Sequence, residues 1–400
     1  MTLIFLILLF AISFFVVISS LVFFHELGHY SVARFFGVAV ERFSIGFGKP
    51  IWRRRAKSGT EWVIASIPLG GYVKFLGDAG AASNPDTEQL AKIKAEIDEK
   101  HGAGVSSSVF HFKPLWQRIL VVLAGPVANF ILAAIIFTGF ILAYGKTQIT
   151  SEVLGIADDS PAYAAGFEVG DRVLTINGKD ARYTSQLMPL IGLRAGDRLD
   201  VVVDRNGAET SLVVVPNRVK RQDFVGGDAE IGQIGIQIPG RGSDAKYLDV
   251  KTYNLATAPL QGIKEVGISI SQTGTYIGRI FTGKENGKQL GGIVRIAAMT
   301  GKTATDGAQR DVPMSERASG IIKQLIYLAG ALSIGLGVAN LMPIPVLDGG
   351  HLLFYGYEAV AGRPLSQKKQ EFGFRIGFAL ILGLFVILTW NDIGYVRSLF

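Results

Sequence analysis

Apolar residues are distributed unevenly along this chain of 400 residues. From Leu3 to Phe24 there is no charged residue, which is enough apolar sequence to cross the roughly 30 Å hydrocarbon core of a bilayer as a helix. Similar runs predict a second span over Leu115–Tyr144, a third from about Ile321 to a break at Pro343, and a fourth centred on Phe378–Trp390. The pattern therefore predicts a polytopic α-helical membrane protein with about four transmembrane helices.

The region between the first two spans has a different pattern. Two short alternating runs, Phe43–Gly48 and Glu61–Ile67, flank the basic, turn-rich stretch Arg53–Gly59. Alternation on both sides of a turn is typical of a β-hairpin or a small sheet. The polar segment that follows predicts a surface helix over Asp86–Lys100, in which no chemistry can be identified.

The sequence after the second span is typical of a soluble α/β module. Short strand patterns are separated by the turn dipeptides Asn177-Gly178 and Asn206-Gly207, which favour tight hairpins. The later stretch Tyr253–Phe281 is moderately apolar, but charged residues interrupt it. It predicts amphipathic helices at the membrane surface and not a further span.

These patterns divide the chain into eight segments. In order they are the first span (1–37), a β segment (38–76), a polar loop with the surface helix (77–113), the second span (114–145), the α/β module (146–243), an amphipathic region (244–318), the third span (319–360), and a basic loop with the fourth span (361–400).

Composition agrees with a membrane protein that also has soluble mass, since 49% of the residues are hydrophobic. The formal net charge is +7, but the cationic residues cluster beside the predicted spans, where the positive-inside rule explains them. No nucleic-acid-binding motif accompanies them, so nucleic acid is excluded as a partner. The chain has no cysteine, which excludes disulfides and thiolate metal ligands. No basic segment and no cleavage signal flank the first run, which is therefore predicted to be a span and not a signal peptide.

Three ionisable residues lie at the end of the first apolar run: His25, Glu26 and His29. Ionisable groups at membrane depth are costly unless they are paired or bind a metal. The two histidines are four residues apart and share one face of a helix, so their imidazoles can converge on one ion. Glu26 is next to the first ligand, where a carboxylate can take a proton from metal-bound water. The alternative is two core histidines and a buried glutamate, each satisfied by its neighbours.

A catalytic zinc site uses three protein ligands and one open position, so one ligand remains to be found. The best candidate is Asp348, which follows another apolar run and is preceded by Pro343 and Pro345. Because proline stops a helix, we expect Asp348 at an irregular break that lines an enclosed cavity. Alternatively, its carboxylate caps the next helix.

The chain resembles the site-2 protease family of intramembrane zinc proteases, and within it the bacterial regulator of sigma-E protease group. The motifs that carry the resemblance are His25–His29 (HELGH), 340–351 (NLMPIPVLDGGH), 125–130 (GPVANF) and 68–73 (PLGGYV). The resemblance implies one zinc ion per chain, held by His25, His29 and Asp348, with Glu26 as the catalytic carboxylate. It also implies that the β segment dips into the membrane beside the zinc. Substrate contacts are expected from Asn129 and Asn340, and from Pro343 and Pro345 beside the candidate ligand. Val63, Ile64 and Ala65 are also predicted to bind substrate, because their strand is expected to have a free edge that can pair with an unwound substrate strand.

The α/β module resembles a circularly permuted PDZ domain. Ser160–Phe167 and Val169–Gly178 carry the likeness, and Ile231–Ile238 resembles the loop and strand that bind a peptide carboxylate. Gly235 and Ile236 are accordingly predicted to bind peptide by strand addition, although an ordinary buried strand fits this stretch almost as well. Only one such module is found, whereas many relatives in the group carry two.

The sequence fits three functions. The first is an intramembrane metalloprotease that cuts single-span membrane proteins within or near their spans, for example an anti-sigma factor or a remnant signal peptide. The second is a PDZ-bearing membrane scaffold or chaperone with an inactive site, and the third is a metal transporter. The predicted location is the bacterial inner membrane, with the PDZ module and both termini on the periplasmic side and the zinc near the cytoplasmic side. The expected partners are the bilayer, the substrate, and a peptide or ectodomain bound by the PDZ module.

Overall fold

A computed structural model gives the structure of the chain and describes residues 3–77, 99, 105–222, 228–240, 243–288 and 290–399. Apart from Glu99, which is helical, the surface helix predicted over Asp86–Lys100 lies outside these residues. The described residues form two compact units. The helical unit contains residues 1–136 and 292–390, and the strand unit contains residues 137–291 and 391–400.

The described α-helices are numbered here in chain order. They are α1 (Leu3–Phe35), α2 (Leu115–Tyr144), α3 (Pro161–Ala164), α4 (Thr184–Gly192), α5 (Ala258–Phe281), α6 (Ile293–Gln309), α7 (Met314–Asn340), α8 (Asp348–Ala361) and α9 (Gln367–Leu399).

Four of these helices are long and apolar enough to cross a membrane, as the sequence predicts. Their candidate spans are Ile7–Phe35 in α1, Leu115–Tyr144 in α2, Met314–Asn340 in α7 and Gln367–Arg397 in α9. The third begins earlier than predicted, and the fourth extends far beyond its apolar centre. The predicted segment 319–360 is not one helix, because the chain breaks after Asn340 and restarts as the short helix α8.

The strands are also numbered in chain order. They are β1 (Val40–Arg55), β2 (Glu61–Phe75), β3 (Lys146–Ile149), β4 (Gly155–Ile156), β5 (Arg172–Ile176), β6 (Lys179–Asp180), β7 (Leu199–Arg205), β8 (Ala208–Val214), β9 (Asn217–Gln222), β10 (Asp228–Gln233), β11 (Ile236–Gln237) and β12 (Leu248–Lys251).

Strands β1 and β2 form the predicted hairpin between the first two spans. Each strand is long and bent, so it pairs with the other along two separate stretches. Ser44 pairs with both Val63 and Tyr72, and Val63 pairs with both Ser44 and Arg53. The first part of β2 therefore lies inside the sheet, with a partner on each side. Two parts of the sheet have a strand partner on one side only within the described residues, 50–55 and 71–75.

This register corrects the prediction that Val63, Ile64 and Ala65 bind substrate along a free edge. Ile64 pairs with Ile45 on one side and with Trp52 on the other. Val63 and Ala65 are buried, and the Ile64 side chain is half exposed. The sequence could not reveal this, because the double pairing depends on a fold of β1 on itself around Gly46 and Gly48, which both have positive φ.

In the strand unit, a four-stranded sheet has the order β6-β5-β7-β8. The two predicted turn dipeptides close its hairpins: Asn177 and Gly178 have φ of 50° and 71°, and Asn206 and Gly207 have φ of 53° and 88°. Positive φ at both positions gives the backbone twist that matches paired strands. The core between this sheet and its helices is made by branched apolar side chains: Val153, Val173, Ile176, Leu187, Leu199, Val201 and Val203.

The region predicted as one amphipathic segment, 244–318, is divided between the units. Helix α5 belongs to the strand unit and is not a candidate span, in line with the prediction for 253–281. Helix α6 belongs to the helical unit, where a Cβ atom at Gly301 would overlap the ring of Phe10. Glycine at this position lets α6 pack directly on α1.

Candidate metal centre

Helix α1 brings His25 and His29 together on one face, as their four-residue spacing predicts. Their Nε2 atoms are 3.2 Å apart, and their rings are nearly perpendicular. This face points into the helical unit, where His25 is buried.

The break after α7 supplies the carboxylate. The Asp348 Oδ2 atom lies 3.2 Å from His25 Nε2 and 3.5 Å from His29 Nε2. Asp348 is the first residue of α8, and two glycines follow it. A Cβ at Gly349 would lie 2.2 Å from the Met342 carbonyl oxygen, and a Cβ at Gly350 would lie 2.4 Å from the Ile344 carbonyl oxygen. Only glycine lets the new helix start so close to the break.

The geometry of these three groups fits a zinc ion. Ligand atoms of a tetrahedral zinc site with N and O ligands are separated by about 3.3 Å, which is close to the observed distances. Asp348 Oδ2 is buried and accepts no hydrogen bond, although it faces two imidazole nitrogens. A cation between the three atoms would satisfy this oxygen, and three ligands leave a fourth position open. No other group of three such residues in the described part of the chain is arranged to hold a metal.

Each histidine ring is oriented by a contact at its other nitrogen. The Nδ1–H of His29 donates to the Val121 carbonyl oxygen at 2.9 Å, which leaves Nε2 free as a ligand. His25 Nδ1 lies 3.1 Å from the side-chain amide of Asn129. The Asn129 Oδ1 atom is buried without a partner, and rotating the amide by 180° lets this oxygen accept the Nδ1–H of His25.

Asn129 was predicted to contact substrate, but the structure gives it a different environment. Its side chain is fully buried and touches a candidate ligand ring. Ser333 fixes the same point of the helix by donating to the Asn129 carbonyl oxygen at 2.8 Å. Its surroundings therefore favour a role in orienting His25.

The other predicted substrate residues differ in position. Asn340, the last residue of α7, has its amide nitrogen 3.3 Å from His25 Nε2. Pro343 is exposed in the break. Pro345 packs against α9, where a Cβ at Gly377 would overlap the Pro345 carbonyl oxygen. Gly235 and Ile236 belong to the strand unit.

Glu26 lies beside the cluster, between α1 and the sheet. The backbone amide of Val73 hydrogen-bonds to its carboxylate. A Cβ at Gly71 would lie 3.1 Å from Glu26 Cγ and 2.7 Å from the Ser44 carbonyl oxygen. The part of β2 that begins at Gly71 therefore borders Glu26, whereas the insertion of the β segment into the membrane beside the zinc stays a prediction.

A feature missed at the sequence level is the close approach of α1 and α2. A Cβ at Gly28 would lie 2.2 Å from the Ala124 carbonyl oxygen, and one at Gly125 would lie 2.2 Å from His29 Nε2 and 2.8 Å from His25 Cε1. Helix α2 continues through both Gly125 and Pro126. The sequence signal for this close approach was the glycine in each of the motifs HELGH and GPVANF, since glycine inside a helix favours close packing.

A buried ion pair holds α8 in place. Arg118 on α2 donates two hydrogen bonds to the Glu358 carboxylate, at 2.5 and 3.2 Å, and its guanidinium lies 5.0 Å from the centre of the Tyr355 ring. Tyr355 packs in a core with Ala33 and Val121. Because Asp348 is at the other end of α8, these contacts also fix the direction from which its carboxylate approaches the histidines.

The space left by Gly125 is testable. Gly125→Ala would push a methyl group into the imidazoles, so we expect zinc affinity to fall by about tenfold or more, the range seen when ligand orientation is disturbed. Gly139→Ala in the same helix is the matched control, because a Cβ there meets no atom within 4 Å. Metal analysis after dialysis against graded zinc buffers measures the effect, and equal affinity in the two variants would contradict the geometry.

Comparison with known proteins agrees with this site. The profile described as Peptidase family M50 matches residues 13–384. The chain is 40% identical over 379 residues to the metalloprotease MmpA of Caulobacter vibrioides, covering 94% of each chain. It is also 40% identical over 383 residues to a putative zinc metalloprotease of Agrobacterium fabrum, covering 96% of this chain and 95% of the relative. A putative zinc metalloprotease of Rhizobium meliloti is 38% identical over 383 residues, with 96% of both chains covered. The three-ligand cluster and these matches together show that the chain belongs to the M50, or site-2 protease, family of zinc metallopeptidases.

Proposed function

We propose that this membrane metalloprotease hydrolyses peptide bonds within or near the transmembrane segments of other membrane proteins. The observation that carries the proposal is the position of His25, Glu26 and His29 inside an apolar helix long enough to span a bilayer. A catalytic group at that depth acts on a substrate that is itself in the membrane.

Zinc at such a site polarises a carbonyl group and lowers the pKa of a bound water to about 7. His25, His29 and Asp348 would hold it and leave one position open. Glu26, next to a ligand and fixed by the Val73 amide, would accept the proton of the attacking water on a carboxylate oxygen and pass it to the leaving amine. Asn340 and the exposed Pro343 would contact the substrate beside the open position.

The scaffold and transporter alternatives receive less support. An inactive scaffold has no need for a carboxylate beside a cluster of candidate metal ligands, yet Glu26 is next to the cluster of His25, His29 and Asp348. A transporter would place metal ligands along a path through several spans, whereas the described residues form one cluster.

The roles of the base and the ligand can be separated by substitution. Glu26→Gln should keep the zinc content of the wild type and lose hydrolysis by several orders of magnitude, because only the proton acceptor is removed. Asp348→Ala should lose zinc as well, since one of three ligands is gone. Zinc content and cleavage of a transmembrane substrate are measured on detergent-solubilised protein. Full zinc occupancy in Asp348→Ala would remove that residue from the ligand set, and an active Glu26→Gln would refute the proposed base.

A substrate helix must open before it is cut, because its backbone hydrogen bonds shield the peptide bond and unpaired backbone groups in hydrocarbon cost several kcal/mol each. The part of β2 from Gly71 to Phe75 has one strand partner within the described residues and borders Glu26. We propose that this edge, in place of Val63–Ala65, pairs with the unwound substrate.

Substrate opening has a direct consequence for cleavage rates. Substrates with Gly or Pro near the scissile bond should be cut faster than Leu-rich versions of the same length, because their helices unwind at lower cost. Initial rates of the two substrate types, reconstituted with the same enzyme, provide the measurement. Equal rates would mean that helix opening does not limit cleavage.

The strand unit is proposed to act as a single PDZ-type peptide-binding module. Strand β11 pairs with β4 on one side only within the described residues, and Gly235 before it has φ of 88°. A Cβ there would lie 2.3 Å from the Ser160 side chain, so the loop geometry depends on glycine. An added peptide strand beside Ile236 would then bind a free carboxyl terminus or an exposed part of a substrate.

The ladder of β3 and β12 shows how to remove this module cleanly. These strands pair from Lys146↔Lys251 to Ile149↔Leu248 and close its base. Replacing residues 151–246 with a short Asn-Gly turn would keep this ladder. We expect the shortened protein to cleave a substrate with a short ectodomain at the wild-type rate but to handle large ectodomains differently. A folded, zinc-loaded deletion variant that cleaves neither substrate would reject the gating role.

We further propose the bacterial inner membrane as the location, with the strand unit and both termini periplasmic and the basic loops cytoplasmic. The charges of Arg53–Arg55 and Lys368–Lys369 follow the positive-inside rule. Anti-sigma factors and remnant signal peptides are the proposed single-span substrates. Since the chain has no cysteine, Ser58→Cys gives a single labelling site in a loop proposed to be cytoplasmic. The variant is treated with a membrane-impermeant maleimide in cells whose outer membrane alone has been permeabilised. Labelling of this cysteine would overturn the proposed orientation.

A further inference from the structure

A cavity of about 730 Å³ lies within the strand unit, apart from the metal centre and from the proposed peptide site at β11. Its walls are α4, α5 and the β3–β12 ladder. Helix α4 contributes Gln186, Pro189 and Leu190, whereas its exposed Met188 does not line the cavity. The cavity is therefore a separate feature that the proteolytic mechanism does not use.

The walls of the cavity are strongly cationic. Six lysine or arginine residues line it but only two carboxylates do, Asp180 and Glu265, and the six are Lys146, Lys179, Arg182, Arg194, Lys251 and Lys264. An excess of four positive charges around one cavity attracts an anion.

Both carboxylates are already engaged. Lys146 Nζ binds Glu265 at 2.5 Å. The hydrogen bonds from Arg182 lower the pKa of Asp180 to about 2, so Asp180 remains anionic and neutralises that guanidinium. Lys251 lies 3.7 Å from Asp249 and near the Tyr183 hydroxyl.

Three cations are left over: Lys179, Arg194 and Lys264. Within the described residues, none of them has a carboxylate oxygen within 4.0 Å. Arg194 donates only to the Leu190 carbonyl oxygen, at 3.3 Å. All three line the same cavity, and ammonium and guanidinium groups are donors suited to phosphate oxygens.

The cavity is also next to the end of a membrane span. Helix α2 ends at Tyr144, and Lys146, which lines the cavity, is the first residue of β3. A Cβ at Gly145 would lie 3.0 Å from the Lys251 carbonyl oxygen, so β12 returns to the same point. These contacts place Lys146 and Lys251, one wall of the cavity, within a few residues of the end of this candidate span.

Helix α5 gives the second indication of a lipid environment. Its polar residues Gln261, Lys264 and Glu265 face the cavity. Leu255 just before the helix is 81% exposed, and Leu260 and Ile263 in its first turns are 70% and 60% exposed. An amphipathic helix with unburied apolar side chains beside the end of a span is suited to lie in the membrane interface.

We propose that this cavity binds the phosphate headgroup of an anionic phospholipid from the adjacent leaflet. Lys179, Arg194 and Lys264 hold the phosphate oxygens, and the acyl chains extend past Leu255, Leu260 and Ile263 into the bilayer. The exposed apolar residues favour a lipid over an acidic peptide, because a soluble peptide would leave them in water. Bound lipid would anchor the strand unit to the membrane surface.

The test uses the full-length protein in nanodiscs of equal parts phosphatidylglycerol and phosphatidylcholine, with bound lipids counted by native mass spectrometry after release. The wild type should retain phosphatidylglycerol in preference to phosphatidylcholine. In the triple variant Lys179→Gln, Arg194→Gln, Lys264→Gln this preference should fall by about tenfold or more, since each cation near an anionic surface contributes several-fold to binding.

A matched control removes the same charge elsewhere on the strand unit. Arg172→Gln, Arg198→Gln, Lys220→Gln changes three exposed cations that do not line the cavity, and it should keep the preference of the wild type. Zinc content and the thermal unfolding midpoint confirm that both triple variants are folded.

Several results would overturn the proposal. An equal loss in both triple variants would mean that net charge alone attracts the lipid. Binding of inorganic phosphate by the detergent-solubilised protein, without a preference for phosphatidylglycerol, would assign the cavity to a free anion. A third result would assign the cavity to a protein segment. In it, the triple variant keeps phosphatidylglycerol and added glycerol phosphate does not displace it, but a soluble acidic peptide does.

Discussion

The close approach of α1 and α2 is the contact on which the metal centre depends. Gly28 meets the backbone of Ala124, and Gly125 passes directly over the imidazoles of His25 and His29. With a side chain at either glycine, the helices would separate by the thickness of a methyl group. The Val121 carbonyl and the Asn129 amide would then lose contact with the ring nitrogens that they orient. Packing between small residues thus determines the chemistry of the site.

Burial of polar groups sets the second constraint. Polar groups in an apolar environment cost free energy unless each has a partner, and here nearly every member of the cluster is assigned one. Val121 and Asn129 serve the histidines, Val73 serves Glu26, and Asp348 Oδ2 is left for the cation. The Arg118–Glu358 pair fixes α8 in the same way. The unpaired oxygen is therefore where the binding energy of a metal is available.

The two units combine precise and adaptable functions. In the helical unit, the sheet of β1 and β2 packs against Glu26 and provides an edge beside the proposed site of hydrolysis. In the strand unit, β11 has a strand partner on one side only within the described residues, and the cationic cavity lies near the end of α2. We propose partners of different chemistry for the two. Catalysis requires fixed distances, whereas recognition of varied substrates and of lipid requires accessible backbone and charge.

The sequence by itself indicated the four apolar helices, the Asn-Gly hairpins and the candidate ligands His25 and His29, because hydrophobic periodicity, turn chemistry and the spacing of the two histidines are local properties. Asp348 was a candidate from the sequence, and the fold decided that it meets the histidines. Family resemblance added the zinc and the peptidase activity. Only the tertiary structure decided the interior position of Val63–Ala65, the buried contact of Asn129 with His25, the packing of α6 on α1, and the cavity beside α5. Each of these depends on which distant segments meet, and pairing between distant segments leaves no periodic signal in the chain. Glycine positions such as Gly28 and Gly125 fall between the two: the residue is visible in the sequence, but the atom that excludes a side chain is supplied by the fold.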